Sequence, residues 1–404
     1  MSPRLRIVPF LALAAACGSG AGHGGGDDVG EDRDAGVEDG GGGDDATVVD
    51  AAPGDGGTLA ESALCGGHHW TSPLPVTGTA LMAFRGKAYL FSSQGQVWTV
   101  IEGGAANAGP IPFPAGVTSM QAIGAELGLD GLPLVTFRSN GDNAHQFATR
   151  WDGTQFSPAI ETNNSARLHA DAAGRIYGIG AGGLFEYPPG AAPIARGTPP
   201  RTPNAWTVSA DGTIHVLFVT TESTSSGTAF RLEHIRLPHG SLSWSSSAVI
   251  AMNVGQGFSG LVFAGAPDGS LHVAWERGGY LRSRDGETWE TSRFTEFAAL
   301  ATLIDPATAN DPSFDPRRLV GTPELIAAQD YDHAAITTIV QYGSTAPSST
   351  YFARRCPPFV GPNQMQWPAE RFAYSYSFMI SAVDERGLAA VMTPNGVRQD
   401  VIDP

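Results

Sequence analysis

Beyond residue 61 the hydrophobic and polar positions show almost no helical period. They alternate, or run apolar, over stretches of about four to eight residues bounded by turn residues, which predicts short strands. A strand, a glycine turn and a second strand recur as a unit. It reads Arg85-Gly86-Lys87-Ala88-Tyr89-Leu90-Phe91, then Asp130-Gly131-Leu132-Pro133-Leu134, then Ala173-Gly174-Arg175-Ile176-Tyr177. Further copies are Asp211-Gly212-Thr213-Ile214-His215, Asp268-Gly269-Ser270-Leu271-His272 and Arg386-Gly387-Leu388-Ala389-Ala390. A weaker copy across Ala328–Val340 has Asp332-His333 in place of the glycine turn. Glycine suits such hairpins because it accepts the positive φ that other residues resist. Downstream of most units a further strand carrying an aromatic is expected, at Trp98, Phe156, Trp244, Trp289 and Trp367.

Four strands per unit at this spacing predict an all-β fold, a β-propeller of seven four-stranded blades. Six or eight blades would follow from a different reading of the Pro- and Asp-rich stretch Asp305–Arg318. Each blade buries its faces only against its neighbours, so the array has to close into a ring. The last unit, Phe378–Val401, has room for three strands, and the early segment His68–Val76 supplies the missing outer one. That pairing also removes a free sheet edge.

The first sixty residues follow another pattern. Arg4 and Arg6 precede an apolar run, Ile7–Ala16, which as a helix would span roughly 15 Å, half a bilayer core. This is the layout of a cleavable secretion signal, residues 1–17, rather than of a membrane span. Residues 18–60 are rich in Gly, Asp, Ala and Glu, with eleven acidic residues against Arg33 and no Phe, Tyr or Trp. Such a segment cannot bury enough apolar surface to offset its ordering entropy, so a disordered acidic tether is expected. Its aspartates lack the regular spacing of calcium-binding repeats. The folded domain is assigned to 61–404.

Leu13-Ala14-Ala15-Ala16-Cys17-Gly18 resembles the lipobox of bacterial lipoproteins, with leucine one place further from the cysteine than usual. The resemblance implies lipidation at Cys17, and Gly18 implies the outer membrane or cell surface rather than retention at the inner membrane. The alternative is an ordinary secretion signal cut after Ala14-Ala15-Ala16, giving a periplasmic or secreted protein. If Cys17 carries lipid, Cys65 and Cys356 remain as a pair in an oxidising compartment. A disulfide between them is expected, two free thiols being the alternative. The expected ring topology would place Cys65 and Cys356 in neighbouring blades. Their bridge would be worth roughly 3–5 kcal/mol in the chain-entropy model.

Of the net charge of −16, the signal contributes +2 and the tether −10, leaving −8 on residues 61–404. This argues against nucleic acid or an anionic membrane surface as partner; the membrane is reached through the N-terminal lipid only, and a monomer is expected.

Ser283-Arg284-Asp285-Gly286-Glu287-Thr288-Trp289 resembles the Asp-box of sialidases and many unrelated propellers, one residue short, and Arg150–Phe156 is a looser cousin. In that family Ser283, Asp285, Gly286, Thr288 and Trp289 would be structural, tying a turn and plugging between sheets. A sialidase would need a tyrosine nucleophile with a glutamate, an aspartate acid/base and a cluster of arginines on the substrate carboxylate. Its usual first arginine sits in an Arg-(Ile/Leu)-Pro motif. Phe84-Arg85-Gly86-Lys87 lacks the proline, and Arg201-Thr202-Pro203 comes late in the chain. Tyr374 and Tyr376 have no assignable partners, so catalytic residues stay unassigned and the enzyme question open. His215 and His272 share a repeat position with Tyr89 and Tyr177, which predicts a role inside the blade. His68-His69 and Asp330–His333 hold metal-compatible groups but read as solvated loops, so no metal and no cofactor is expected. No phosphate loop, Gly-x-Ser-x-Gly elbow or His-Glu-x-x-His occurs. The reading is a surface-tethered propeller binding a glycan, peptide or protein; the alternative is a sialidase-like glycosidase.

Overall fold

A computed structural model describes residues 68–402, apart from 77, 93–95, 102–103, 112, 116, 118, 140–144, 153, 163–166, 181, 256, 294–318, 343–348, 355–368, 375–379 and 394–395. Cys17, Cys65, Cys356, Trp367, Tyr376 and the stretch Asp305–Arg318 therefore lie outside the described residues, as does the whole tether.

The first strand, β1 (His68–Trp70), stands apart from the sheet that follows it. Blade 1 is β2 (Ala80–Phe84), β3 (Lys87–Phe91), β4 (Gln96–Ile101) and β5 (Gly104–Pro110). Blade 2 is β6 (Met120–Leu127), β7 (Pro133–Ser139), β8 (Gln146–Arg150) and β9 (Ile160–Thr162). Blade 3 comprises β10 (Leu168–Ala170), β11 (Ile176–Gly180), β12 (Gly183–Tyr187) and β13 (Ile194–Gly197). Blade 4 has β14 (Ala205–Val208), the long hairpin β15 (Ile214–Thr224) and β16 (Gly227–Leu237), and β17 (Ala248–Val254). Blade 5 is β18 (Val262–Gly265), β19 (Leu271–Trp275), β20 (Gly279–Ser283) and β21 (Glu290–Arg293). Blade 6 is β22 (Leu319–Ala328), β23 (Ala334–Tyr342), β24 (Ser349–Arg354) and β25 (Ala369–Tyr374). The chain ends with β26 (Ile380–Val383), β27 (Ala389–Thr393) and β28 (Gly396–Ile402), and β1 completes this seventh blade.

The described residues thus form seven antiparallel four-stranded sheets, and the fold is an all-β propeller. Closure follows the expected route. His68 pairs with Ile402 and Trp70 with Asp400, and Leu74 adds an isolated bridge to Val397. Every recurring turn of the sequence joins the first and second strands of a blade, so all seven lie at the same end of the ring. Its glycines take left-handed φ, +70° at Gly86 and +83° at Gly387.

Burial explains why the ring holds. Each of seven apolar clusters lies between two successive sheets. Phe84, Tyr89, Phe137 and Trp151 join blades 1 and 2, and Leu217, Phe263 and Trp289 join blades 4 and 5. Leu81, Leu90, Ala382 and Val397 join blade 7 to blade 1. Each fully buried large side chain contributes about 1.5–3 kcal/mol, and no sheet could bury both faces alone. The sheets converge toward the axis, which requires small inner residues. At Gly265 a Cβ would stand 2.2 Å from the carbonyl oxygen of Val208, so blades 4 and 5 approach here as only glycine allows.

One expectation is corrected. The aromatics were expected on a further strand downstream of each unit; Trp98 does sit on a strand, β4, but Trp244 and Trp289 sit in the connections leading to β17 and β21. Phe156 forms an isolated bridge with Trp151 ahead of β9. A connection can swing its aromatic over the sheet edge into the gap between blades, whereas a strand position is confined to one face.

Candidate functional site

In each sheet the first strand is an edge strand, and the first strands of neighbouring blades lie against one another, so their free edges face the axis. Edges of this kind carry unpaired N–H and C=O groups, and a channel lined by them is a natural place for a polar ligand. The channel encloses a cavity of about 160 Å³ lined by residues from all seven inner strands and their turns.

Its chemistry is unevenly distributed. Counting five residues back from each turn glycine gives Leu81, Glu126, His169, Thr207, Ala264 and Ala382, with Ala328 at the same distance before His333 in the sixth unit, and all of these but Leu81 line the cavity. Only blades 2, 3 and 4 are polar there. Glu126 of blade 2 reaches across to His169 of blade 3, its Oε1 2.8 Å from Nδ1. The His169 ring packs edge-on to Trp206 of blade 4, with centroids 4.4 Å apart at 83°. The Thr207 hydroxyl accepts the backbone N–H of Gly265 in blade 5 at 3.0 Å. Nε2 of His169 is buried and has no hydrogen-bond partner among the described residues. Arg167, just ahead of β10, lines the same cavity; it is exposed and forms no ion pair with a described residue.

At the turn end, Asp384 and Glu385 of blade 7 border the cavity. Burial pushes the Asp384 carboxyl up from its ordinary range, against the pull of backbone N–H groups from Leu388 and Gly86. Glu385 is also raised, by burial and by the neighbouring Asp384.

The residues singled out in the sequence lie elsewhere. Ser283 ends β20, Asp285, Gly286, Thr288 and Trp289 occupy the connection to β21, and none of the five is part of the cavity wall. Asp285 accepts backbone N–H groups from Glu287 and Thr288, both at 2.8 Å, and Ser283 Oγ accepts that of Gly286 at 2.8 Å. Asp152 ties its turn in the same manner, accepting from Thr154 and Gln155 at 2.7 and 2.8 Å. Trp289 packs edge-on to His234. Arg201 pairs with Glu233 and lies over the Phe218 ring, and Arg85 sits in the turn between β2 and β3. Among the described residues, Arg167 is the one arginine on the cavity wall. The three-arginine grip of a sialidase site is therefore not assembled there. Tyr374 ends the outer strand β25.

His215 and His272 are satisfied inside their own blades. His215 bonds to Ser209 at 3.1 Å and to His234 at 3.0 Å, and His272 to Ser270 at 3.2 Å and to Tyr280 at 2.5 Å. His333 is held by Asp330. No group of three or more His, Cys, Asp or Glu side chains is placed to hold a metal among the described residues. The sequence reading missed Glu126, Arg167 and His169. Aligning the units on their turn residues would have exposed the polar run Glu126–His169–Thr207 at one level.

No protein-family model matches the chain, and no curated protein matches it. Its fold resembles solved propellers at low identity. Streptogramin B lyase shows 8% identity and a TM-score of 0.48, over 83% of this chain and 98% of that one. The β-propeller domain of Cps50 (Swd1) from Myceliophteria thermophila shows 9% and 0.49, over 83% and 100%. BamB from Moraxella catarrhalis shows 12% and 0.42, over 83% and 100%. At these levels the likeness carries no argument about activity, and the class of the protein rests on its own sheet topology.

Proposed function

We propose that this chain is an exported propeller, tethered to the outer membrane or cell surface through lipid on Cys17, that binds a ligand at its central channel without transforming it. The observation that supports this most directly is the asymmetry of the channel wall. Polar side chains gather on blades 2 to 4, with Gln329, Asp384 and Glu385 at the turn end, against a lining that is aliphatic elsewhere, the pattern of a recognition pocket. The glycosidase reading gains no support from a wall with one arginine. The acidic balance of 61–404 disfavours nucleic acid as ligand and leaves glycans, peptides and proteins.

Two measurements test this. Metabolic labelling with a radioactive fatty acid should mark the wild-type chain and not Cys17→Ala; equal labelling would remove the lipid anchor. The purified full chain should retain members of a glycan or peptide array, and retention should fall on substituting cavity residues. Release of a fluorogenic sialoside by the wild type, lost in Arg167→Ala, would overturn the non-enzymatic reading.

A further inference from the structure

Four features of the wall at blades 2 to 4 converge on one ligand chemistry. First, Glu126 accepts the Nδ1–H of His169 at 2.8 Å, and Trp206 backs the ring, so the imidazole orientation is fixed. Second, Nε2 of His169 is then left buried without a partner among the described residues. A buried polar atom left unpaired is costly, and a ligand oxygen would relieve that cost. Third, Arg167 lines the same cavity two residues upstream, its guanidinium not engaged in an ion pair with any described residue. Fourth, the rest of the wall is largely aliphatic, with Leu127 and Val208 on the same blades and Val262, Leu325 and Ala382 across the channel, while Asp384 and Glu385 stand at its turn end.

We infer that this part of the channel binds a small monocarboxylate with an apolar body, one carboxylate oxygen on Arg167 and the other on Nε2 of His169. The inference rests on the reading of the channel as a binding site and specifies what it takes. A guanidinium recognises a carboxylate through directed, charge-assisted N–H bonds. With Nδ1–H given to Glu126, Nε2 of a neutral ring is an acceptor, so binding takes up one proton from solvent, which is held between Nε2 and the second carboxylate oxygen. The cavity, about 160 Å³, is small beside the ~300–1,000 Å³ of sites for drug-sized ligands. This favours a free small acid over the C-terminal carboxylate of a peptide, which offers the same chemistry on a larger body.

Calorimetric titration of the full chain with hexanoate and benzoate tests the assignment, with hexanamide and benzamide as neutral counterparts. The peptide arm uses acetyl-Ala-Ala-Leu with a free and with an amidated C-terminus. Both acids should bind, each at least about tenfold tighter than its amide. Arg167→Gln and His169→Gln should each weaken acid binding about tenfold or more. Arg167→Gln should melt with the wild type, since its side chain is exposed. Equal affinity for acid and amide would overturn the inference, as would an Arg167→Gln variant that binds the acids like the wild type. A free-ended tripeptide binding more than tenfold tighter than hexanoate would replace the small acid by a peptide terminus. If neither acid binds while an array glycan or peptide does, the carboxylate assignment falls and the binding function stands.

Discussion

Asp384, one residue beyond the innermost strand of the last blade, accepts the backbone N–H of Gly86 in the first blade at 2.9 Å. Its other oxygen takes the N–H groups of Arg386 and Leu388, at 2.9 and 2.8 Å. Its neighbour Glu385 accepts the N–H of Arg85 at 3.2 and 3.1 Å. The ring is therefore closed twice: by the β1–β28 pairing at the periphery and by a carboxylate at the turn end of the channel. Removing the carboxylate leaves buried backbone donors without partners. Asp384→Ala should cost about 2–4 kcal/mol and lower the melting temperature by several degrees, with Asp384→Asn milder because its amide oxygen still accepts. A melting curve unchanged in the alanine variant would show that strand pairing alone closes the ring.

Gly286 belongs to a turn of blade 5 yet meets blade 4. Its φ is +72°, and a Cβ there would stand 3.1 Å from Cε1 of His215. Backbone strain and crowding act in the same direction. Gly286→Ala should destabilise by about 1–3 kcal/mol in a denaturant titration, and Trp289→Ala by about 3 kcal/mol through the cavity it opens between blades 4 and 5. If Gly286→Ala were neutral while Trp289→Ala was not, the aromatic alone would define the role of this connection.

The same interface sets a pH dependence. Burial first, then the adjacent His234, pushes His215 down to about 3, while burial and then Arg236 push His234 down to about 4. Below the ordinary histidine value near 6.5 the unfolded chain takes up protons that the folded pair refuses. Stability from the neutral pair is thus complete above about pH 6.5 and declines as pH falls toward 4 and then 3, by about 2 kcal/mol per histidine at pH 5. Thermal melts from pH 7.5 to 4.5 should show this slope, and it should flatten in His215→Gln/His234→Gln. An equal slope in both proteins would assign acid sensitivity to other groups.

Fold and site were unequally legible in the sequence. The turn units were visible because each needs glycine, or Asp-His in blade 6, at a fixed place between apolar runs. The closure at His68–Trp70 followed from counting strands. The channel groups were harder to see. Glu126, Arg167 and His169 come from two blades and carry no local spacing motif; their juxtaposition exists only once the ring brings β6 beside β10 and β14. The aromatics misled because a tryptophan plugging a gap between blades leaves the same mark in sequence whether it sits on a strand or in a connection.

The cysteines give the last prediction. Trp70, five residues after Cys65, packs in one cluster with Ala335 and Val391, so the end of β1 lies against blade 6 as well as in blade 7. Ala335 in turn pairs with Arg354, two residues before Cys356. The described chain therefore brings both approaches to the same interface, and we expect Cys65 and Cys356 to be joined. A non-reducing peptide map of protein purified from the cell envelope should contain the cross-linked pair. Reduction, or Cys356→Ser, should lower stability by roughly 3–5 kcal/mol if loop closure is the source of the gain. Both cysteines recovered as free thiols would leave the β1–β28 pairing and Asp384 as the fasteners of the ring.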